Sequence, residues 1–250
     1  MPRFNDDIME EQNIPNTSFG YSATRIDELS ATEYTLVDLV VDTSGSVDDY
    51  KSDIEKAIKE VVNACKLSPR ADNLMIRFST FNFEIDEVHG YKLLENCNLA
   101  DYEGILKCGG MTALYDASEI AILSQIDYAR NLTENDFSVN SIVVIFTDGM
   151  HNHGSCTIKS VEKALNGAVK SEATESMISI LIGVGVANDY VVSDSLKLFK
   201  DGANISQYVE TQDASAKTLA KLAQFVSKSV SAQSQALGSG GPSKLLSLSI

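Results

Sequence analysis

The sequence predicts an α/β fold, in which a doubly wound, mainly parallel sheet carries helices on both faces. Short apolar runs such as Leu36–Val41 and Val143–Phe146 have the length and β-branched content of buried strands. These runs alternate with helical patterns of roughly 10–20 residues, an order that favours parallel βαβ units. The 250 residues of the chain suit one such domain with appendages at its ends.

The alternation begins at Tyr34. The predicted strands are Tyr34–Val41, Asn73–Phe81, Ile85–Val88, Val139–Thr147, Met177–Val184 and Ile205–Glu210. We expect the second and third to form a hairpin across Asn82–Glu84. The predicted helices are Val47–Lys66, Ala113–Asn131, Thr157–Ser171, Tyr190–Phe199 and Ala214–Ser231.

Both ends of the chain differ in composition from this central region, which spans residues 34–233. Residues 1–33 form an acidic extension, in which we expect disorder up to about Thr17 and then an extended stretch that packs on the domain or on a partner. This stretch holds Phe19, Tyr21 and Ile26. Residues 234–250 are predicted to be a flexible Ser/Gly-rich tail, with a linker at Gly238–Pro242.

Composition excludes several classes of function. The net charge of −15 and the absence of a basic stripe argue against nucleic acid as a partner. No apolar run reaches the length of about 18 residues that a membrane span needs. The four cysteines form no C-x-x-C pair, which suits reduced thiols, and Met1–Asn16 lacks the apolar centre of a signal peptide. We therefore expect a cytoplasmic protein that binds neither membrane nor nucleic acid.

Small oxygen-bearing side chains gather in the loop after the first strand of the central region. Asp42, Ser44 and Ser46 follow one another at a spacing of two, between a predicted strand and a predicted helix. Because residues two apart in an extended segment point the same way, the three side chains are expected near one spot at the carboxyl end of a strand, where open α/β sheets bind ligands. One carboxylate and two hydroxyls suit Mg²⁺, Mn²⁺ or Ca²⁺ better than zinc or copper. Alternatively, Asp42 is a helix N-cap, since Asp and Ser also favour such loops.

Two later segments extend this pattern. A threonine follows Gly109-Gly110-Met111 directly before a helical run, and an aspartate ends the apolar strand of the segment Val143–Gly149. D-x-S-x-S, then a threonine after a glycine pair, then strand-T-D-G, in this order, resembles the metal-ion-dependent adhesion site of the von Willebrand factor A-type (VWA) family. The resemblance covers roughly Tyr34 to Ser231, and the methionine between the glycine pair and the threonine departs from the commonest pattern. It implies one divalent-cation site formed by Asp42, Ser44, Ser46, Thr112 and Asp148.

The resemblance also implies a function. Three hydroxyls and at most one directly bound carboxylate leave a dication under-neutralised, so a carboxylate of another molecule can displace its water. We therefore expect a metal-dependent protein-binding module that captures an Asp or Glu of a partner. The missing signal places the chain beside the intracellular bacterial or phage-encoded branch, similar to tellurium-resistance-associated VWA proteins. Relatives there work beside an AAA-type ATPase, a kinase–phosphatase pair or stress-response proteins. The alternatives are a structural component that docks through its termini and a metal-dependent hydrolase.

Features of an enzyme are weak, and we expect no catalytic activity. Gly183-Val-Gly185 lacks the third glycine of a dinucleotide fingerprint, and no phosphate-binding loop of the P-loop type is present. Ser44 could approach His151 or His153, but nothing in the sequence orients such a histidine. The two histidines could instead ligate a transition metal, although a role in shaping the partner-binding rim is favoured.

Two further polar residues receive structural interpretations. Asp116 is interpreted as a first-turn acid favoured by the helix dipole rather than as a ligand. His89 is expected on the surface of the predicted hairpin.

Overall fold

The chain folds around a single 8-stranded sheet. The structure is a computed structural model that describes residues 7–15, 17–171, 173–241 and 245–247. The strands are β1 (Met9–Asn13), β2 (Gly20–Thr24), β3 (Glu33–Asp42), β4 (Leu74–Phe81), β5 (Ile85–Leu93), β6 (Ser138–Thr147), β7 (Ser176–Gly183) and β8 (Gln207–Glu210). The α-helices are α1 (Lys51–Lys66), α2 (Leu114–Glu134), α3 (Ile158–Ser171), α4 (Tyr190–Ala203) and α5 (Ala216–Ser239).

The strand order is β1-β2-β5-β4-β3-β6-β7-β8. The pairs β1–β2 and β4–β5 are antiparallel, and the remaining neighbours are parallel. Helices α1 and α5 pack on one face, whereas α2, α3 and α4 pack on the other. The predicted fold class is therefore confirmed.

Strand β3 lies at the centre of this sheet and is buried on both faces. Val37, Leu39 and Val41 point into the core under α1 and α5, while Val40 points into the core under α2, α3 and α4. Burial of each such side chain stabilises the fold by about 1.5–3 kcal/mol. Two-sided burial explains why this strand reads as a continuous apolar run.

The N-terminal extension belongs to the sheet. Residues 9–13 and 20–24 form an antiparallel pair, and β2 lies parallel to β5. The expectation of disorder up to about Thr17 is thus wrong for β1, while residues 1–6 and 16 lie outside the described residues. Tyr21 is buried among Tyr91 and Tyr128. Gly90 permits the close approach of β2 and β5, because a Cβ at this position would lie 1.8 Å from the Ser22 carbonyl oxygen.

A buried ionic network connects β3, β4 and β5 to the extension. Arg77 is 2% exposed and donates from Nη1 to Asp38 Oδ2 at 2.9 Å and from Nε to Glu87 Oε2 at 2.7 Å. The other Glu87 oxygen accepts from the backbone N–H and the hydroxyl of Ser22, at 2.9 and 2.8 Å. One cation therefore compensates two carboxylates away from water, and one of these carboxylates holds β2 in place.

The C-terminal part of the chain differs from the predicted flexible tail. Helix α5 continues past the predicted end at Ser231, so Gly238 is helical rather than part of a linker. Its Cα packs against the Arg70 guanidinium, which a Cβ would approach to 2.2 Å. Further on, Leu246 packs against the core and its carbonyl accepts a hydrogen bond of 2.8 Å from the Gln207 side chain. The rest of the predicted tail, at 242–244 and 248–250, lies outside the described residues.

Two smaller expectations can be compared with the structure. His89 is 1% exposed, with Nε2 at 2.7 Å from the Tyr102 hydroxyl, so the expected surface position is wrong. All four cysteines are free thiols, in keeping with the sequence.

Within the part of the chain that is described, no helix combines the length and the apolar character of a membrane span.

Replacing Arg77 should severely destabilise the protein. In Arg77→Met the carboxylates of Asp38 and Glu87 stay buried without their cation, and breaking a buried pair in this way costs about 3–5 kcal/mol. Urea unfolding followed by circular dichroism measures the loss. The control Arg25→Gln removes an exposed pair with Asp27 and should hardly change the midpoint. Equal midpoints for both variants would contradict the stabilising role of the network.

Candidate metal centre

The candidate centre lies where the two central strands end. Strand β3 ends at Asp42 and its parallel neighbour β6 ends at Thr147, with Val41 opposite Phe146 in the register. The residue after β6 is Asp148. Because parallel strands present their carboxyl ends at one edge, both carboxylates lie at the same edge of the sheet.

Asp42 is the buried member of the pair. Its side chain is 1% exposed, Oδ1 accepts from the Ser44 backbone N–H at 2.7 Å, and Oδ2 accepts from the Thr147 hydroxyl at 2.6 Å. Burial raises the pKa of Asp42 to about 6, although the hydrogen bonds from Thr147 and Ser44 oppose the shift. A cation beside this carboxylate would offset the free energy lost on desolvation.

A continuous row of oxygens connects the loop after β3 to Asp148. The Ser44 and Ser46 hydroxyls lie 3.3 Å apart, and Ser46 donates to Asp148 Oδ1 at 2.8 Å. The other Asp148 oxygen accepts from the hydroxyl of Tyr50, which follows in a short 3₁₀ helix. The two serines and the second carboxylate are thus brought together.

Thr112 reaches the same place from the loop before α2. This loop is attached to the first one, because the Gly45 N–H donates to the Gly110 carbonyl at 3.3 Å. Gly110 has φ +81, and a Cβ here would meet the Phe83 ring at 2.5 Å, so this position requires glycine. The Thr112 hydroxyl faces Gly149, because a Cβ added at Gly149 would lie 3.7 Å from the Thr112 Oγ1 atom. The structure therefore gathers all five predicted residues at one edge, and their role as metal ligands stays a prediction.

The chemistry of this set fits a hard divalent cation. It offers two carboxylates and three hydroxyls, which are oxygen donors of the kind that Mg²⁺ and Ca²⁺ prefer. No group of three or more His, Cys, Asp or Glu side chains suited to hold a metal occurs among the described residues. A nitrogen- or sulfur-rich site of the structural-zinc type is accordingly not offered by this part of the chain.

Three residues that hold the site residues in place were not predicted from the sequence. Thr147 holds Asp42, Tyr50 holds Asp148, and the Asn152 side chain accepts from the Thr112 N–H at 2.7 Å. Thr147 was visible as part of the strand-T-D-G segment, but its partner was not. The other two positions carry no sequence signal, since their contacts depend on how distant segments pack.

The histidines beside the site have structural contacts. His151 Nδ1 accepts from the Tyr115 N–H at 3.2 Å, and the two rings stack with centroids 3.9 Å apart. Burial lowers the pKa of His151. His153 meets Phe83 edge-on. These contacts support a role in shaping the rim.

Asp116 lies in the first turn of α2, as predicted. Its Oδ1 accepts from the backbone N–H groups of Ser155 and Cys156 at 3.0 and 3.3 Å. The residue therefore ties the loop after β6 to the start of α2.

Comparisons with known proteins rest on structure alone. No family model matches the sequence, and no curated protein matches it. Among solved structures, the PilB minor pilin from Streptococcus sanguinis has a TM-score of 0.58 at 15% identity, over 88% of this chain and 66% of that chain. The ArnB paralog VWA2 from Sulfolobus acidocaldarius has a TM-score of 0.51 at 13% identity, over 88% and 54%.

A third similar structure is the proximal thread matrix protein 1 from the mussel byssus, with a zinc-occupied metal-ion-dependent adhesion site. Its TM-score is 0.53 at 18% identity, over 78% of this chain and 48% of that chain. This chain thus spans less than two thirds of each of the three structures. The comparisons show that the fold is VWA-like.

Removing the Asn152 amide should weaken cation binding. In Asn152→Ala the Thr112 N–H loses its acceptor, the loop relaxes, and Mn²⁺ affinity should fall about 10-fold, as for other residues that orient ligands. Calorimetric titration with Mn²⁺ measures the change, and Asn166→Ala on the exposed side of α3 is the matched control. Unchanged affinity in Asn152→Ala would show that this amide does not position the loop.

Proposed function

We propose that this chain is a metal-dependent protein-binding module. A divalent cation held at the candidate metal centre captures an aspartate or glutamate of a partner protein. The proposal rests on one observation: hydroxyls from two loops and carboxylates from two strands converge at the carboxyl edge of the sheet.

The hydrogen bonds of the two carboxylates support an adhesive role. Both oxygens of Asp42 and both oxygens of Asp148 already accept hydrogen bonds from protein groups. Such bonds hold the two carboxylates in a fixed orientation towards the cation. A cation surrounded mainly by hydroxyls keeps a strong attraction for one more carboxylate. That carboxylate is the part that the partner supplies.

The surface around the centre also suits a protein partner. Phe83, Met111 and Met150 are 48%, 46% and 37% exposed, and all three lie on loops that adjoin the centre. Exposed large apolar residues that cluster mark interaction sites, and methionine adapts its shape to a partner. The contact would thus combine one ionic bond with an apolar rim.

The cation and the partner are narrower proposals. The oxygen donors favour Mg²⁺, with Mn²⁺ or Ca²⁺ as alternatives. The zinc in the site of the mussel protein is a reason to include Zn²⁺ in any titration. An AAA-type ATPase or a kinase–phosphatase pair remains the proposed partner class, in a cytoplasmic and non-enzymatic role linked to stress response. A structural component that docks through its termini is the alternative, and its contacts would not need the cation.

Binding to the partner should depend on the cation and on Thr112. Protein captured on the immobilised chain in Mg²⁺ should elute with EDTA, and Thr112→Ala should bind it at least about 10-fold more weakly, because one ligand is lost without core packing. Thr133→Ala at the far end of α2 is the control. The partner contact is then mapped by replacing its Asp and Glu residues singly. Binding that survives EDTA, or a partner in which no acid matters, would support the structural alternative instead.

A further inference from the structure

Helix α4 exposes large apolar side chains on the side that faces away from the core. Tyr190, Val191 and Leu198 are 78%, 68% and 69% exposed, although the opposite side of the helix is buried. A surface helix normally has polar residues opposite its buried stripe. In the part of the chain that the structure describes, no other α-helix exposes a large apolar residue. The outer face of α4 thus differs from that of every other described helix.

Large and small residues alternate along this face. Val191 and Leu198 are seven residues apart, which is two helical turns, so both lie on the same side of α4. The half-buried Ser195 lies between them, and the exposed Gly202 follows one turn after Leu198. Two protruding side chains therefore alternate with two shallow positions, and helices pack by fitting such ridges into such grooves.

This alternation is complementary to a second copy of itself. In an antiparallel pair of α4 helices whose two-fold axis passes near Lys197, Leu198 of each copy lies over Ser195 of the other. The same symmetry places Val191 of each copy over Gly202 of the other. A two-fold contact uses one surface patch twice, so the patch has to fit itself. The outer face of α4 meets this requirement.

Charged residues beside the apolar ones favour the same arrangement. Asp194 and Lys197 are both exposed and lie one turn apart on α4. Lys197 Nζ donates to Ser193 Oγ at 2.8 Å and to Glu210 Oε1 at 3.1 Å, and its side chain is still 48% exposed. Because an ammonium has three N–H donors, the third can donate to Asp194 of a second copy. The two-fold symmetry forms this pair twice.

We propose that two copies of this chain associate through the outer faces of their α4 helices. The apolar residues supply the buried centre of the contact, and Asp194 and Lys197 fix its antiparallel register. One helix of 14 residues offers less than the roughly 800 Å² per partner of a standard interface. The association is therefore expected to be weak and to depend on protein concentration.

The antiparallel register has a consequence for the candidate metal centres. Helix α4 follows the end of β7, which is parallel to β6, so it begins at the carboxyl edge of the sheet. Antiparallel α4 helices place the two carboxyl edges, and with them the two centres, at opposite ends of the dimer. On the proposed function, such a dimer links two partner proteins rather than binding one of them twice.

Sedimentation equilibrium of the full chain, from micromolar to millimolar concentration, tests the association. The average mass of the wild type should rise towards that of a dimer. Leu198→Glu should dimerise at least about 10-fold more weakly, because a charge enters the apolar contact. The matched control is Leu67→Glu at the end of α1, where the leucine is 79% exposed, and it should behave as the wild type does. Circular dichroism melting confirms that each variant is folded.

Charge exchange tests the register. Asp194→Lys alone and Lys197→Glu alone each place like charges beside one another in both halves of the contact, so each should dimerise at least about 3-fold more weakly than the wild type. An equimolar mixture of the two variants restores opposite charges at both positions. Its dimerisation should therefore exceed that of either variant alone.

Three results would overturn the inference. These are a monomeric mass at every concentration, an association that Leu198→Glu leaves unchanged or that Leu67→Glu weakens equally, and a mixture that associates no better than its components. EDTA should not change the masses, because α4 contains none of the residues of the candidate metal centre. Failure of the proposed function would instead appear as partner binding that does not depend on the cation, whatever the mass of the chain.

Discussion

The register of β3 against β6 is the constraint on which the candidate metal centre depends. These parallel neighbours place Val41 opposite Phe146, so Asp42 and Asp148 lie at the same edge of the sheet. The hydrogen bond of 2.6 Å from the Thr147 hydroxyl to Asp42 joins the two strand ends directly. A shift of one residue would send every side chain of a strand to its other face, which two fully buried faces do not tolerate. Packing of the core therefore fixes the geometry of the site.

A buried ionic network also affects residues near the site, on the side of the sheet where β1 and β2 lie. Arg77 neutralises Asp38 and Glu87 in the interior, and Glu87 in turn holds Ser22 of β2. The residues that follow β1 carry Phe19 to a cleft beside the metal centre. The buried ionic network, which stabilises the fold, thus also helps to position the N-terminal extension that forms one wall of this cleft. The cleft and the candidate metal centre therefore depend on different parts of one sheet.

Much of the fold and the grouping of the site residues could be predicted because both are encoded locally. Apolar runs mark the central strands, and D-x-S-x-S, the glycine pair with its threonine, and T-D-G each occupy a strand or helix end. Strand β1 could not be predicted, since its sequence MEEQN is polar and pairs at the sheet edge. Tyr50 and Asn152 could not be predicted either, because their partners Asp148 and Thr112 are far away in the chain. The packing of Gly238 in α5 against Arg70 could not be predicted either, because it is a tertiary contact.

The central claim is that a divalent cation binds where the oxygens of the two strands and two loops converge. An anomalous difference map from crystals grown with Mn²⁺ tests this claim most directly, since it locates the metal without reference to activity or to a partner. The account predicts a single strong peak within bonding distance of the Ser44, Ser46 and Thr112 hydroxyls, beside Asp42 and Asp148. A map with no peak at this edge, or with its peak on His151 and His153, would contradict it.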